Sequence, residues 1–207
     1  MEIKDRIKQK ADELFRRYGI KSVTMDEIAT QLGVSKKTIY QSFEDKNQLV
    51  DSIIAEMINF NKTCCQHSRL QAQNAIQEVY SGIESMQDML ENMNPSILFD
   101  IERGYPKTFK KFIEYKYDFL YELMKKNIER GKNEGLYRPD INADLLAKVR
   151  IETVMLPFNE ELFPKNQYSL VYFQQELLEY FLFAMATPKG YKLITKYQKE
   201  RLKKQSK

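Results

Sequence analysis

The run from Lys36 to Gln41 has side chains of the types that hydrogen-bond to the edges of DNA bases. Lysine donates to guanine O6 and N7, glutamine pairs with adenine N6 and N7, and threonine contacts the thymine methyl group. The members of the run that no helical core requires are Lys36, Lys37, Thr38, Tyr40 and Gln41. The alternative is that they form an ordinary polar surface of a small helical domain.

Helix-start signals around this run predict the elements that position it. Thr24 with Glu27, and later Asp45 with Gln48, have the spacing of a capping box. Gly33 suits the left-handed position after a helix, and Ser35 can cap the next one. Two short helices joined by a Gly-Val-Ser turn make a helix-turn-helix, whose second helix lies in the DNA major groove. Thr24 stands at a helix N-terminus, which is a natural site for a phosphate.

The stretch from Met25 to Leu49 resembles the N-terminal signature of TetR-type transcriptional regulators. The residues that carry the resemblance are Ile28-Ala29, Leu32-Gly33-Val34-Ser35, Thr38-Ile39-Tyr40, Phe43, Lys46 and Leu49. The segment Gly135 to Asp140 is similar to a loop found before the penultimate helices of that family. The resemblance implies that Tyr40 and Lys46 contact phosphate. The expected DNA-binding set is Thr24, Ser35, Lys36, Lys37, Thr38, Tyr40, Gln41 and Lys46.

Composition predicts an all-α chain. Its 207 residues contain only seven Gly and six Pro, and alternating strand patterns are scarce. No apolar run approaches the ~18 residues of a membrane span, and the first residues lack a signal-peptide pattern, so a cytoplasmic location is expected. The adjacent Cys64 and Cys65 offer neither a disulfide framework nor metal-ligand spacing. They are expected to be inert, and His67 is expected at the surface.

Charge lies at the two ends of the chain. Residues 1–50 hold ten Lys or Arg against eight Asp or Glu, a balance of +2. Residues 51–188 hold fifteen against twenty, and residues 189–207 hold eight against one. The middle of the chain is therefore not expected to bind polyanions, and DNA binding must depend on locally placed charges.

Apolar periodicity predicts nine to ten helices in two domains. Residues 1–48 are expected to form a three-helix helix-turn-helix domain, and residues 49–207 a larger helical domain for effector binding and dimerisation. The first helix is predicted from about Glu2 to Tyr18, and the fourth from Lys46 to about Cys65. The fourth helix is long enough to link the two domains. A last helix beginning at Pro188 is expected to dock up to about Tyr197, with a disordered tail as the alternative.

Methionine and aromatic side chains in the second domain suit an adaptable apolar pocket. The residues assigned to it are Tyr80, Met86, Met89, Phe109 and Phe112. The alternative is plain hydrophobic core, which is the more common role of such a stripe.

The helix predicted at about 168–186 has an apolar stripe wider than one small core requires, which indicates a partner helix. The family resemblance implies a four-helix dimer bundle built from this helix and one at about 143–156. The residues assigned to the dimer interface are Val149, Leu170, Phe173, Leu177 and Phe181.

Together these features predict a homodimeric, sequence-specific DNA-binding regulator, a repressor released by a small apolar or amphipathic ligand. Its partners are an inverted-repeat site on double-stranded DNA, a second copy of the chain and an unidentified effector, with no membrane and no cofactor. The alternative keeps DNA binding but replaces the small effector with a protein partner. No paired carboxylates, phosphate loop or Cys/His cluster mark a catalytic or metal site, so an enzyme is not predicted.

Overall fold

The computed structural model describes residues 2–164 and 166–205, and this part of the chain is helical. The helices are α1 (Ile3–Tyr18), α2 (Met25–Leu32), α3 (Lys36–Ser42), α4 (Lys46–Gln71), α5 (Ala75–Glu91), α6 (Ser96–Gly104), α7 (Pro106–Glu114), α8 (Tyr121–Asn133), α9 (Ala143–Thr153), α10 (Leu170–Met185) and α11 (Pro188–Gln205). A π-helical segment, Tyr115–Leu120, joins α7 to α8 as one continuous rod. The predicted all-α fold is confirmed.

The predicted caps of the first helices are confirmed. The side-chain oxygens of Thr24, Ser35 and Asp45 accept hydrogen bonds from backbone N–H groups three residues further on, at 3.1, 3.1 and 2.7 Å. Gly33 adopts φ +67° at the end of α2, a conformation that costs glycine little. These local signals set where α2, α3 and α4 begin.

Two helix boundaries differ from the predictions. Helix α4 runs six residues past the predicted end at Cys65, because neither glycine nor proline interrupts it before Gln71. Helix α9 ends at Thr153 rather than near residue 156, and a short 3-10 turn, Leu156–Phe158, contains Pro157. Proline at that position is incompatible with continuing the α-helical hydrogen bonds.

One hydrophobic core joins the two ends of the molecule. It includes Ile7 and Phe15 of α1, continues through α4, and reaches Phe112 and Leu170. Leu49, Val50 and Ile53 on the first two turns of α4 pack within it, so these turns belong to the same packing unit as α1, α2 and α3. The predicted division of the chain after residue 48 therefore crosses continuous packing.

A second core cluster holds the C-terminal helix in place. Ile194 of α11 is fully buried, and Arg201 forms an ion pair with Glu179 of α10 at 2.8 Å. The docked part of α11 therefore extends beyond the predicted limit at Tyr197. Thr187 caps α11 as predicted, accepting a hydrogen bond from Gly190 N at 3.1 Å.

The start of α11 lies so close to the loop after α8 that only glycine fits at position 190. A Cβ atom there would stand 2.1 Å from the backbone oxygen of Leu136, which no rotamer change relieves. Gly190→Ala is expected to lower the free energy of unfolding by about 1–3 kcal/mol, the usual cost of overpacking. Chemical denaturation measures this.

The matched control is Gly82→Ala on α5, where a Cβ meets nothing within 4 Å. This change should raise stability by about 0.5–1 kcal/mol, because alanine favours a helix more than glycine does. Equal effects of the two changes would contradict the assigned packing of α11.

Candidate DNA-binding surface and ligand cavity

Helix α3 presents a polar outer surface because its apolar residues are held from below. Ile39 is fully buried and Phe43 almost so, both within the core that α1 and α2 share. Lys36, Lys37, Tyr40 and Gln41 are exposed, and Thr38 is half-buried. Tyr40 exposes 43% of its surface. The structure thus brings together on α3 the side chains predicted to contact DNA, with Ser35 at its N-cap and Thr24 exposed at the N-cap of α2.

Lys36 is paired within the protein. Its ammonium lies 2.8 Å from a carboxylate oxygen of Asp26 on α2, and both side chains are exposed. The hydrogen bond to Asp26 raises the pKa of Lys36 above its usual value. An acidic partner beside α3 weakens the attraction of Lys36 to phosphate. A phosphate contact would therefore require Lys36 to leave Asp26 or to bind both groups at once.

Lys46 occupies a more interior position than a phosphate contact requires. Its ammonium donates to the backbone oxygen of Ile20 at 2.6 Å and lies 5.8 Å from the centre of the Phe15 ring. Burial lowers the pKa of Lys46, with Asp100 and Glu27 acting in the opposite direction. In this structure Lys46 ties the foot of α4 to the loop between α1 and α2.

A cavity of about 180 Å³ lies within the larger group of helices. Its wall is mostly apolar and draws on α4 through α10. Six of the chain's nine methionines line it: Met57, Met86, Met89, Met93, Met124 and Met155. Unbranched, polarizable methionine side chains adapt to ligands of different shape.

The predicted pocket residues divide into two groups. Met86, Met89 and Phe112 line the cavity, whereas Tyr80 and Phe109 do not. Tyr80 lies in the second core cluster, with its ring 5.8 Å from that of Tyr197 on α11. Phe109 packs against the first core cluster and stacks on Phe112. Proximity in sequence did not reveal which face of each helix the cavity occupies.

The cavity wall includes one buried cation that the sequence analysis did not single out. Arg150 of α9 is 3% exposed, and its Nη1 atom has no hydrogen-bond partner among the described residues. Burial lowers the pKa of Arg150 to about 10, so the guanidinium remains charged at neutral pH. The signal available in the sequence was an arginine within a helix that is otherwise rich in apolar residues.

The cysteines and the histidine offer no reactive site in the described structure. Cys65 lines the cavity, and burial raises the pKa of its thiol to about 11, which disfavours the nucleophilic thiolate. His67 is exposed. Among the described residues no group of three or more His, Cys, Asp or Glu side chains is arranged to hold a metal ion. No helix of the described chain is long and apolar enough to cross a membrane.

Helix α6 connects the cavity to the DNA-binding helices. Ile97 and Ile101 on one side of α6 line the cavity. Asp100 between them accepts a hydrogen bond from the backbone N–H of Lys21, at 3.0 Å, in the loop that precedes α2. Ser96 approaches the same loop so closely that a Cβ on Gly19 would lie 2.7 Å from its hydroxyl. The sequence-based prediction placed the link between the two domains on α4 alone and did not include this second connection through α6.

The residues assigned to a dimer interface lie at different depths. Val149 on α9 is 45% exposed, but Leu170 is only 6% exposed and packs in the first core cluster. Phe181 lines the cavity, and Phe173 packs edge-on against Phe163 with ring centres 4.4 Å apart. Leu177 is half-buried. Leu170 therefore packs in the core of its own chain, because part of the apolar stripe of α10 faces that core.

The geometry agrees with comparisons to known proteins. Residues 7–53 match the model of a family described as "Bacterial regulatory proteins, tetR family". An HTH-type transcriptional regulator of Staphylococcus aureus is 28% identical over 134 residues, which is 60% of this chain and 69% of the relative.

Two solved structures show the same fold over almost the whole chain. A TetR-family transcriptional regulator from Marinobacter aquaeolei superposes with a TM-score of 0.75 at 16% identity, covering 97% of this chain and 98% of that one. A transcriptional regulator from Saccharomonospora viridis in complex with choline gives a TM-score of 0.73 at 20% identity, covering 89% and 97%.

The predicted resemblance to TetR-type transcriptional regulators is confirmed: residues 7–53 match the model of that family, and the fold is shared with a TetR-family structure over 97% of the chain. These relatives are DNA-binding regulators and not enzymes, which also confirms the prediction that the chain is not an enzyme.

The pairing of Lys36 with Asp26 makes a testable claim about the DNA-binding surface. Asp26→Asn removes one negative charge beside α3 and releases the Lys36 ammonium. DNA affinity is expected to rise, and the slope of log affinity against log salt concentration should steepen by about one unit if Lys36 then reaches a phosphate. Fluorescence anisotropy over a range of salt concentrations measures both quantities.

Glu122→Gln is the matched control, because Glu122 is an exposed acid in an i,i+4 ion pair on α8. It should leave both quantities unchanged. An equal gain from both variants would mean that net charge, and not the Lys36–Asp26 pair, controls affinity.

Proposed function

We propose that this regulator is a homodimeric repressor that leaves its DNA site when a small amphipathic molecule fills the cavity. The observation that carries the proposal is the cavity itself, which shares helices α4 and α6 with the packing around α1, α2 and α3. The choline complex of the Saccharomonospora viridis protein supports it, since a regulator with this fold holds a small molecule. The location of the protein, on this proposal, is the cytoplasm.

The proposed DNA contacts follow from which side chains are exposed on and around α3. Lys37 and Gln41 have the chemistry to contact bases, and Tyr40 with Ser35 and Thr24 has the chemistry to contact phosphate. Lys46 is assigned a supporting role through Ile20, with phosphate contact requiring it to leave that carbonyl. Two copies of α3 in a two-fold dimer would meet an inverted repeat about one helical turn apart, or a multiple of it.

The dimer surface proposed here lies on α9 and α10. Two side-chain contacts join these helices: Gln174 donates to the Val154 backbone oxygen at 2.6 Å, and Arg150 lies 5.7 Å from the Phe181 ring centre. Large apolar and aromatic side chains remain exposed on them. The exposed set is Leu145, Val149, Tyr172 and Tyr180. Aromatic side chains of this kind are enriched at protein interfaces.

A protein partner in place of a small effector is the alternative. Selection of bound sequences from a random DNA pool gives the operator, and release from that operator is then measured with small molecules and with cell protein fractions. Release by a small molecule supports the proposal. Release by protein fractions alone would favour the alternative.

Base contacts and phosphate contacts on α3 can be told apart by substitution. Lys37→Ala and Gln41→Ala should change which sequences are preferred, at about 1–3 kcal/mol for each lost base contact. Tyr40→Phe should weaken binding to all sequences alike. Binding profiles over single-base variants of the operator distinguish these results. Lys126→Ala, an exposed lysine on α8, is the control and should change neither property. Identical profiles for all four variants would contradict the assignment.

The link through α6 predicts a variant that binds DNA but responds poorly to ligand. Asp100→Ala removes the acceptor of the Lys21 N–H bond, while the apolar side of α6 keeps its contacts with the cavity. The factor by which ligand weakens DNA binding, typically 5–150-fold in coupled proteins, should fall by about threefold or more. Glu102→Ala, at an exposed position on the same helix, is the control. Unchanged release by the Asp100 variant would show that coupling runs through α4 alone.

A further inference from the structure

The cavity carries one cation, Arg150, that has no counter-ion among the described residues. Arg150 projects from α9 into the wall of the cavity, and no ion pair or side-chain hydrogen bond joins it to another described residue. Its guanidinium carbon lies 5.7 Å from the centre of the Phe181 ring. Burial lowers the pKa of this guanidinium.

Three other polar side chains of the described lining have partners within the protein. Glu78, the one carboxylate of the described lining, forms an ion pair with Arg130 at 2.9 Å, and Arg130 is shared with Glu134 at 2.7 Å. Asn127 donates to the backbone oxygen of Ala75 at 2.9 Å, and Gln174 donates to that of Val154 at 2.6 Å. The Oδ1 atom of Asn61 is a second unpartnered atom, but it is neutral. Arg150 is therefore the one charged group of the described lining without an ion pair.

A buried, unpaired charge is unfavourable for folding, and natural proteins pair such charges or use them. A guanidinium also presents two parallel N–H donors, a geometry that matches a carboxylate better than a spherical anion. We propose that the cavity binds an amphipathic carboxylate, whose anionic end pairs with Arg150 and whose apolar tail lies among the methionines. This inference deepens the proposed function and rests on it only for the regulatory consequence.

Cavity volume limits the size of the tail. An apolar cavity of about 150 Å³ takes up benzene, and the one described here measures about 180 Å³. A tail of roughly six to eight carbon atoms fits without expansion. The six methionines allow a somewhat longer tail by changing rotamer. The same charge disfavours a cationic ligand of choline type in this chain.

Matched probes separate the charge from the tail. Octanoate, 1-octanol and octylammonium share an eight-carbon chain and differ in the charge at one end. Each is titrated by calorimetry into the full chain without DNA, with hexanoate, decanoate and choline completing the series. Octanoate should bind about ten- to a hundred-fold more tightly than octanol, the range expected for charge-assisted hydrogen bonds. Octylammonium and choline should not bind detectably.

Arg150→Met tests the assignment to this residue, because methionine keeps much of the length and apolar contact of the side chain. Octanoate affinity should fall about ten-fold or more, while octanol affinity is kept or improved. The melting temperature of the ligand-free variant should stay level or rise, since a buried unpaired charge has been removed. Arg150→Lys keeps the charge without the fork and should show an intermediate affinity for octanoate.

Several results would overturn the inference. They are equal affinities for octanoate and octanol, retained octanoate binding by Arg150→Met, and no binding of any carboxylate in the series. A loss of dimer mass in Arg150→Met with unchanged octanoate affinity would instead assign Arg150 to the interface.

Operator release distinguishes this inference from the proposed function. If octanol releases DNA and octanoate does not, ligand control stands and the carboxylate assignment is wrong. If octanoate binds through Arg150 and the operator complex ignores it, the carboxylate assignment stands and ligand control is wrong.

Discussion

The apolar packing that begins at Ile7 on α1 and continues to Phe112 beside the cavity is the constraint on which the rest of the structure depends. Protein interiors are close-packed and respond to small displacements at a distance. Helix α4 crosses this packing from Leu49 to the cavity wall at Met57, and α6 contacts it from the other side. The cavity wall and the elements that support α3 therefore share one continuous packing.

Two hydrogen bonds at the edge of that packing join the cavity-lining helices to the loop that precedes α2. Lys46 of α4 donates to the Ile20 carbonyl, and Asp100 of α6 accepts from the Lys21 N–H, so two cavity-lining helices hold the two ends of a single peptide group, the one between Ile20 and Lys21. That loop leads directly into α2 and, through Gly33, into α3. Arg150 lines the same cavity, on a helix that also carries the exposed Val149. A ligand bound to Arg150 would thus act on α2 and α3 and also on the proposed dimer surface.

Local chemistry in the sequence predicted the N-terminal elements well, because caps and a glycine turn act within four residues of where they stand. The side-chain caps form at the predicted positions, Thr24, Ser35 and Asp45, and the left-handed turn forms at Gly33. The cavity was only partly predictable: Met86, Met89 and Phe112 line it, but Tyr80 and Phe109 do not. Which face of a helix meets a cavity depends on packing between distant segments, and an unpaired Arg150 is visible only once its neighbours are known. The link through α6 was missed for the same reason, whereas the extension of α4 to Gln71 follows from a local feature, the lack of glycine and proline before that residue.

Reciprocity tests the central claim, that cavity and DNA surface belong to one coupled unit, most directly. Calorimetric titration of a cavity ligand, octanoate in the first instance, into free protein and into its operator complex gives two affinities. Operator DNA should lower the affinity for the ligand by about 5–150-fold, and the ligand should lower the affinity for the operator by the same factor. Equal ligand affinities in the two titrations would contradict it, because a ligand without differential affinity shifts no equilibrium.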